Sequence, residues 1–217
     1  MASSKMASRK PTRLEEKEET EDIEASIVRR ARQTQEEMLE DRGYKFIKEV
    51  DYDPDTARYY RRDDSKMLVY YIGPKDKLGI KDFENFNKTA GYVGKSSSFE
   101  GDYDDIMLIL PDWTEANIRN IIKGYHLFPG FQTFTYKQLL YNVTRRIDCP
   151  LVELIPIEEE KELLASLGIN KTQMPSKGTK DPLVAYYGWR SKRIVKVIRY
   201  SELDCAAPFS VYYWLIR

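Results

Sequence analysis

The chain has 217 residues, 32% of them charged, and its 35 Lys and Arg side chains balance 35 Asp and Glu side chains. This length suits one large domain or two modest ones, and the neutral total lacks the basic excess usual in a free-standing nucleic-acid-binding protein. No stretch approaches the roughly 20 apolar residues that span a bilayer, and the charged N-terminus is unlike a secretory signal. We therefore expect a soluble intracellular protein that binds no membrane.

The N-terminal part begins with a predicted tail and a predicted helix. Residues 1–21 lack apolar periodicity and predict a disordered tail. From Ile23 onward, apolar residues recur at helical spacing and predict an amphipathic helix, which Gly43 ends in the position of a left-handed cap. Residues 51–66 read as a polar loop, and the segment 91–102, rich in Gly and Ser, reads as a second loop.

Strands and helices then alternate. Apolar runs at 67–72 and 106–110 predict two strands, the first of them buried, and residues 131–135 are a third strand candidate. Between them lie a short helix near 80–90 and a helix that Asp112 or Thr114 would cap. This alternation predicts an α/β domain, which with the first helix covers residues 22–147.

A second, smaller module of the α+β class is predicted over residues 148–217. A helix is predicted near 158–167, with acidic residues in its first turn and Gly168 after its end, as helix-dipole and capping preferences favour. Asp181 and Gly188 bound a shorter helix in the same way. Strands are predicted at 193–200 and 210–216, and the last is apolar or aromatic on both faces. So small a module would not hide both faces, and we expect a partner to cover part of this strand.

One pattern points to catalysis. Asp55 lies nine residues before Asp64, and Lys66 leads into the strand at 67–72. In restriction-type nucleases such a pattern supplies carboxylates that hold Mg²⁺ and a lysine that orients water. The alternative hypothesis is therefore a Mg-dependent nuclease that uses Asp55, Asp64 and Lys66. In a chain this rich in charge, a solvated loop explains the same residues. There is no Gly-rich phosphate loop and no paired-cysteine metal signature, so we expect no catalytic residues, no metal and no cofactor.

Several short motifs keep a fixed order along the chain. Those in the C-terminal module are Leu154-Ile155-Pro156, Gln173-Met174-Pro175, Asp181-Pro182, Tyr186-Tyr187-Gly188 and Ile194-Val195-Lys196-Val197-Ile198-Arg199. Those upstream are Glu40-Asp41-Arg42-Gly43-Tyr44, Leu78-Gly79-Ile80-Lys81 and Leu139-Leu140-Tyr141-Asn142-Val143-Thr144. The order resembles the small RNA polymerase subunit that eukaryotic polymerases I, II and III share and that has a shorter archaeal counterpart. The resemblance covers about residues 24–217.

The resemblance implies a noncatalytic subunit of a DNA-directed RNA polymerase, either the eukaryotic type or a copy carried by a large DNA virus. It implies an N-terminal jaw domain near downstream DNA, related to restriction-type nucleases but inactive, and a C-terminal assembly module that docks on the largest subunit beside neighbouring small subunits. No homo-oligomer is expected. The expected location is the nucleus for a cellular enzyme, and the virion and host cytoplasm for a viral one.

The resemblance also implies site residues. The family's DNA contacts lie at a turn that enters a helix, which corresponds here to Pro111, Trp113, Thr114 and Ala116. Contact with downstream double-stranded DNA is expected to be weak, because Glu115 in this turn would repel phosphate. The candidate residues of the subunit interface are Pro175, Asp181, Pro182, Tyr186, Tyr187, Gly188, Lys196, Arg199 and Trp214.

Overall fold

The chain divides into two compact units, Met1–Tyr141 and Asn142–Arg217, in a computed structural model. The described stretches are residues 13–47, 56–61, 64–73, 78–93, 98–111, 116–200 and 209–217. The division falls before residue 148, where the sequence predicts the second domain to begin, because Val143 already packs against the core of the second unit. No helix in the described stretches is long and apolar enough to cross a membrane.

The N-terminal unit is a mixed α/β structure, and the predicted class is confirmed. Its elements are α1 (Arg13–Asp41), β1 (Tyr44–Ile47), β2 (Thr56–Arg61), β3 (Lys66–Tyr71), α2 (Asp82–Ala90), β4 (Tyr92–Val93), β5 (Ser98–Phe99), β6 (Asp105–Leu110), α3 (Ala116–Tyr125), β7 (Phe131–Thr135) and a 3₁₀ helix, Tyr136–Leu139. Five strands form one sheet in the order β1-β2-β3-β6-β7. The pairs β3–β6 and β6–β7 are parallel, while β1–β2 and β2–β3 are antiparallel.

The core of this unit lies where α2 and α3 cover the parallel strands. Residues 106–110 of β6 are all fully buried, as expected for a central parallel strand with both faces covered. Phe86 of α2 is fully buried among aromatic rings and lies 5.3 Å, centroid to centroid, from Tyr125 of α3. Edge-to-face pairs of this kind add stabilisation beyond the burial of their area.

Helix α1 differs from the prediction at its start. It begins at Arg13, within the segment 1–21 for which the sequence predicts a disordered tail, and residues 1–12 lie outside the described stretches. Residues 13–21 contain five Glu residues together with Arg13, Leu14 and Lys17, all of which are good helix formers even without an apolar stripe. The predicted end is found, because Gly43 follows the helix with φ +83°.

Two predicted loops contain strands. β2 lies within 51–66, where it pairs with both β1 and β3 and buries Tyr59. β4 and β5 form a two-stranded antiparallel sheet within 91–102, and Tyr92 and Phe99 pack against the core. Each of these strands is short and lies among polar or small residues. One or two aromatic side chains in a strand do not produce a recognisable apolar pattern in the sequence.

The C-terminal unit is a four-stranded sheet with a helix against each face. Its elements are a 3₁₀ helix (Val143–Arg145), β8 (Leu151–Leu154), α4 (Ile157–Leu167), a 3₁₀ helix (Lys171–Gln173), β9 (Ser176–Lys177), α5 (Pro182–Tyr187), β10 (Ile194–Tyr200) and β11 (Phe209–Ile216). The sheet order is β8-β10-β11-β9. Leu183 and Val184 of α5 pack against Val195, Val197 and Trp214 on one face.

The other face of this sheet is covered by α4 at one end only. Leu163 and Leu164 of α4 pack against Ile194 and Leu215. Glu160 fixes the helix in place, because its buried carboxylate accepts hydrogen bonds from Lys171 Nζ, from Arg193 Nε at 3.0 Å and from the Ile194 N–H at 3.2 Å. A buried carboxylate with three donors joins α4, the strand β10 and the 3₁₀ helix at Lys171.

Candidate functional site

The other end of that sheet face is left uncovered by the residues that the structure describes. It carries a group of exposed or half-buried apolar side chains, which we call the apolar face: Leu151, Ile198, Tyr200, Phe209 and Val211. Leu151 of β8 pairs with Ile198 of β10, which pairs in turn with Val211 of β11. Tyr200 pairs with Phe209 at the end of the same two strands. Directly opposed residues of antiparallel strands point to the same side, so these side chains form one continuous surface.

The exposure of the apolar face is unusual for residues of this type. Leu151 is 72% exposed, Val211 52%, Phe209 64% and Tyr200 62%. The rings of Tyr200 and Phe209 pack against each other, with centroids 5.3 Å apart. A contiguous exposed apolar patch on a soluble domain is typical of an interaction site, and covering each such side chain contributes about 1.5–3 kcal/mol relative to leaving it in water.

An ion pair separates the apolar face from the end that α4 covers. Lys196 Nζ lies 3.6 Å from Glu153 Oε2 across β10 and β8, in the next row of the same face. Lys196, one of the predicted interface residues, therefore borders the apolar face. Arg199 is exposed on the opposite side of β10, where its guanidinium lies 5.4 Å from the centroid of the Tyr212 ring. The structure does not bring these two predicted residues together.

Two other predicted interface residues are buried inside the unit. Tyr186 is 4% exposed, and its hydroxyl accepts a hydrogen bond of 3.0 Å from Asn142 Nδ2. Trp214 is 6% exposed and packs in the core, where Lys177 Nζ lies 4.9 Å from its ring centroid. Their burial is accounted for by contacts within the chain, so substituting either would act first on the fold.

Four of the remaining predicted interface residues lie in or beside α5, and the fifth, Pro175, precedes β9. Asp181 is the N-cap of this helix and Gly188, with φ +66°, is its C-cap. Tyr187 is half-buried and stacks on Trp189 with centroids 4.6 Å apart. Pro175 and Pro182 are exposed. Asp181, Pro182, Tyr187 and Gly188 shape α5 on the face of the sheet opposite to the apolar face, whereas the Pro175 carbonyl accepts a hydrogen bond of 2.8 Å from the Leu215 N–H of β11.

Replacing Asp181 with alanine should destabilise the C-terminal unit by about 1–2 kcal/mol. The carboxylate accepts the Leu183 N–H at 3.1 Å and pairs with Lys177 Nζ at 2.8 Å, and the alanine variant loses both contacts. Urea denaturation followed by tryptophan fluorescence would measure the change. Asp181→Asn, which keeps the capping oxygen, should retain most of the stability. Equal midpoints for the wild type and Asp181→Ala would contradict the capping role.

The DNA-proximal candidates are only partly described. Pro111 follows β6 and is half-buried, and Ala116 is exposed at the first position of α3. Trp113 and Thr114 lie outside the described residues. The assignment of these four positions to DNA contact stays a prediction.

The residues of the nuclease alternative do not form a metal site in the described stretches. Asp64 is exposed with φ +63°, and Asp55 lies outside these stretches. Lys66 forms an ion pair with Asp102. The hydrogen bond to Asp102 is the largest cause that raises the pKa of the lysine, and the negative charge of Asp102 raises this pKa further. No group of three or more His, Cys, Asp or Glu side chains in the described part of the chain could hold a metal ion.

Sequence reasoning identified part of the apolar face and missed the rest. The apolar character of both faces of the last strand, predicted over 210–216, pointed to Val211, and the structure leaves this half of β11 uncovered by the residues it describes. Phe209 was missed because it lies before the predicted start of that strand. Leu151 was missed because β8 is a four-residue strand, Leu-Val-Glu-Leu, in which apolar and polar residues do not alternate. Its signal is the strand register, which places it beside Ile198, and a register cannot be read from a single sequence.

Comparison with known proteins finds one family model and several relatives that this chain is similar to. Residues 141–216 match the family model of RNA polymerase Rpb5, C-terminal domain. DNA-directed RNA polymerase V subunit 5C of Arabidopsis thaliana is 26% identical over 201 residues, which cover 83% of this chain and 81% of the relative. DNA-directed RNA polymerases I, II, and III subunit RPABC1 of Caenorhabditis briggsae is 25% identical over 200 residues, covering 84% and 93%. The corresponding subunit of Dictyostelium discoideum is 35% identical over 71 residues, covering 33% of this chain and 36% of the relative.

Proposed function

We propose that this chain, whose residues 141–216 belong to the family of the RNA polymerase Rpb5 C-terminal domain, is a noncatalytic subunit of a multisubunit DNA-directed RNA polymerase. The observation that carries the proposal is the similarity to polymerase subunits over more than four fifths of the chain, which includes both structural units. The nucleotidyl transfer belongs to the complex, and this chain contributes to its assembly and shape.

The N-terminal unit is the jaw domain in this proposal. Its mixed five-stranded sheet flanked by helices suits a relative of restriction-type nucleases that has no active site. The jaw contacts downstream double-stranded DNA weakly, through Pro111, Trp113, Thr114 and Ala116, between the end of β6 and the start of α3.

The C-terminal unit docks on the largest polymerase subunit beside neighbouring small subunits, and the apolar face is the surface through which it docks. Support comes from the contrast between the two faces of the sheet. α5 covers one face with buried apolar contacts, whereas α4 stops at the row of Lys196 and leaves Leu151 and Val211 in water. Obligate interfaces are more apolar than the rest of a protein surface, and this face has that character.

The location of the chain follows that of its polymerase. A cellular enzyme would place it in the nucleus, and an enzyme of a large DNA virus would place it in the virion and the host cytoplasm. The sequences of the large subunits that co-purify with the chain would distinguish the two.

An affinity pull-down tests the assignment and the docking surface together. The tagged full chain, purified from its native source at moderate salt, should recover the two largest polymerase subunits in near-equal amounts by mass spectrometry. The double variant Leu151→Asp/Val211→Asp should reduce that recovery at least about tenfold, equivalent to about 1.4 kcal/mol, because it places two charges in an apolar interface.

The matched control is Leu127→Asp, which changes a side chain of similar exposure, 69%, in the N-terminal unit. It should recover the large subunits as the wild type does. A milder variant, Val211→Thr, keeps the β-branched shape and guards against misfolding of the strand. Equal recovery for the wild type and the double variant would exclude the apolar face as the docking surface. Recovery of the chain alone would exclude the subunit assignment.

A further inference from the structure

The C-terminal unit has a second surface of different chemistry, at the end of the sheet where β9 lies. Three segments meet there through backbone hydrogen bonds, and a side chain joins a fourth. The Arg217 N–H donates to the Lys177 carbonyl at 2.8 Å, and the Thr179 N–H donates to the Arg217 carbonyl at 3.0 Å. The Lys192 N–H donates to the Ile216 carbonyl at 2.8 Å, and Lys171 Nζ donates to the Lys192 carbonyl at 3.0 Å. Residues distant in sequence thus share one small surface.

This surface is strongly basic although the whole chain is neutral. Residues 171–193 contain six Lys and Arg residues and a single acidic residue, Asp181. Asp181 pairs with Lys177, and Glu160 of α4 pairs with Lys171 and Arg193. The other cations at this end are exposed. We call these residues the basic end: Lys180, Arg190, Lys192 and Arg217.

The neighbours of the basic end are polar. Thr172, Gln173, Ser176, Thr179 and Ser191 are all exposed. The stretch 168–199 contains no exposed large apolar side chain, in contrast to the apolar face. The cores of protein–protein interfaces are enriched in aromatic residues and depleted in Lys and Ser. Lysine and arginine side chains beside hydroxyl and amide groups are the usual ligands of nucleic-acid phosphates.

We propose that the basic end binds the phosphate backbone of nucleic acid without reading its sequence. The exposed lysines Lys180 and Lys192 supply the charge, and the surrounding hydroxyl groups supply further hydrogen bonds to phosphate oxygens. The C-terminal unit thus presents an apolar face to protein and a basic end to nucleic acid. The proposal rests on the surface of this unit alone and not on the assignment of the chain to a polymerase.

Fluorescence anisotropy on the purified full chain tests the proposal, with a fluorescein-labelled DNA duplex in one arm and a labelled single-stranded RNA in the other. Affinity should fall steeply with salt, because bound phosphates release counterions. The double variant Lys180→Glu/Lys192→Glu should weaken binding about tenfold or more at low salt and reduce the slope of log K against log salt by about two. Lys180→Gln/Lys192→Gln should reduce the slope equally with a smaller loss of affinity. The arm with the tighter binding identifies the natural source of the phosphate.

The matched control is Lys45→Glu/Lys88→Glu, which makes the same change of net charge at exposed positions of β1 and α2 in the N-terminal unit. It should leave affinity within about twofold and the slope unchanged. Equal losses of affinity in the two double variants would show that binding depends on net charge, which would overturn the proposal. Unchanged affinity in both variants would also overturn it. A labelled poly-glutamate peptide that binds through Lys180 and Lys192, while neither nucleic acid binds, would assign the basic end to an acidic protein segment instead.

Discussion

Replacing Glu160 with alanine should lower the free energy of unfolding of the C-terminal unit by about 3–5 kcal/mol. The carboxylate is buried and satisfies three donors, so its removal leaves the Ile194 N–H without its acceptor. Lys171 and Arg193 lose the carboxylate that they pair with, although each keeps a hydrogen bond to a backbone carbonyl. An uncompensated charge in a partly buried site costs more than the ion pair contributes. Urea denaturation of the full chain carrying Trp113→Phe, followed by tryptophan fluorescence, would report the unfolding of this unit, because Trp189 and Trp214 are then the remaining tryptophans.

Glu159→Ala is the control, because the neighbouring carboxylate is exposed and lies in the same first turn of α4, close to the positive end of the helix dipole. It should change stability by less than about 0.5 kcal/mol. A similar loss in both variants would mean that the first turn needs negative charge in general. In that case the specific role of Glu160 in joining α4 to β10 would be wrong.

Glu160 also determines how this unit responds to acid. Burial alone would raise the pKa of Glu160, but hydrogen bonds from Lys171, from Arg193 and from the Ile194 N–H outweigh burial and hold this pKa below its ordinary value. Because the folded pKa is lower than the unfolded value of about 4.3, the stabilisation is fully present above the unfolded pKa and is lost as pH falls through the folded pKa. Glu160→Gln should flatten the dependence of unfolding free energy on pH in this acidic range.

Replacing Phe86 with alanine should destabilise the N-terminal unit by about 3–5 kcal/mol. Phe86 is fully buried, with ring centroids 5.4 Å from Tyr70, 5.3 Å from Tyr125, 6.0 Å from Phe99 and 6.3 Å from Phe131. These rings belong to three strands and a helix, so the cavity would open where several elements meet. Thermal unfolding monitored by circular dichroism would measure the loss.

Phe46→Ala deletes the same atoms from β1 of the same unit, where the side chain is 47% exposed. It should cost less than about 1.5 kcal/mol, because an exposed site leaves no closed cavity. Comparable losses in the two variants would place the centre of the core elsewhere. Hydrogen exchange would add a second test, since the β4–β5 pair that holds Phe99 should lose protection only in Phe86→Ala.

Much of the fold is readable from the sequence because its main elements carry strong local signals. Continuous apolar runs mark β3 and β6, and the capping pair Asp181 and Gly188 marks α5 to within a residue. The short strands escape sequence reasoning because they are stabilised by pairing rather than by their own pattern. β2, for example, lies between β1 and β3 and pairs with both along its length.

The functional surfaces are less predictable than the fold. Tyr186 and Trp214 are conspicuous in the sequence, yet the structure buries both in the core of their own unit. Leu151 is inconspicuous, and it becomes part of the apolar face only through its pairing with Ile198. Whether an apolar residue faces a core or the solvent depends on sheet register and on where α4 stops, and both are determined by contacts between distant residues.

The strand order of the C-terminal unit has a consequence for how the chain folds as it is synthesised. In the described part of the chain, β8 pairs only with β10 and β9 only with β11. The two strands that leave the ribosome first are therefore the edges of the sheet, and neither has a partner until the central hairpin follows. Until then, Leu163 and Leu164 of α4 have no sheet to cover. The sheet of the N-terminal unit can begin to form from strands that are neighbours in the chain. The sheet of the C-terminal unit cannot form until β10 and β11 have been synthesised, and chaperones would have to protect its exposed apolar side chains until then.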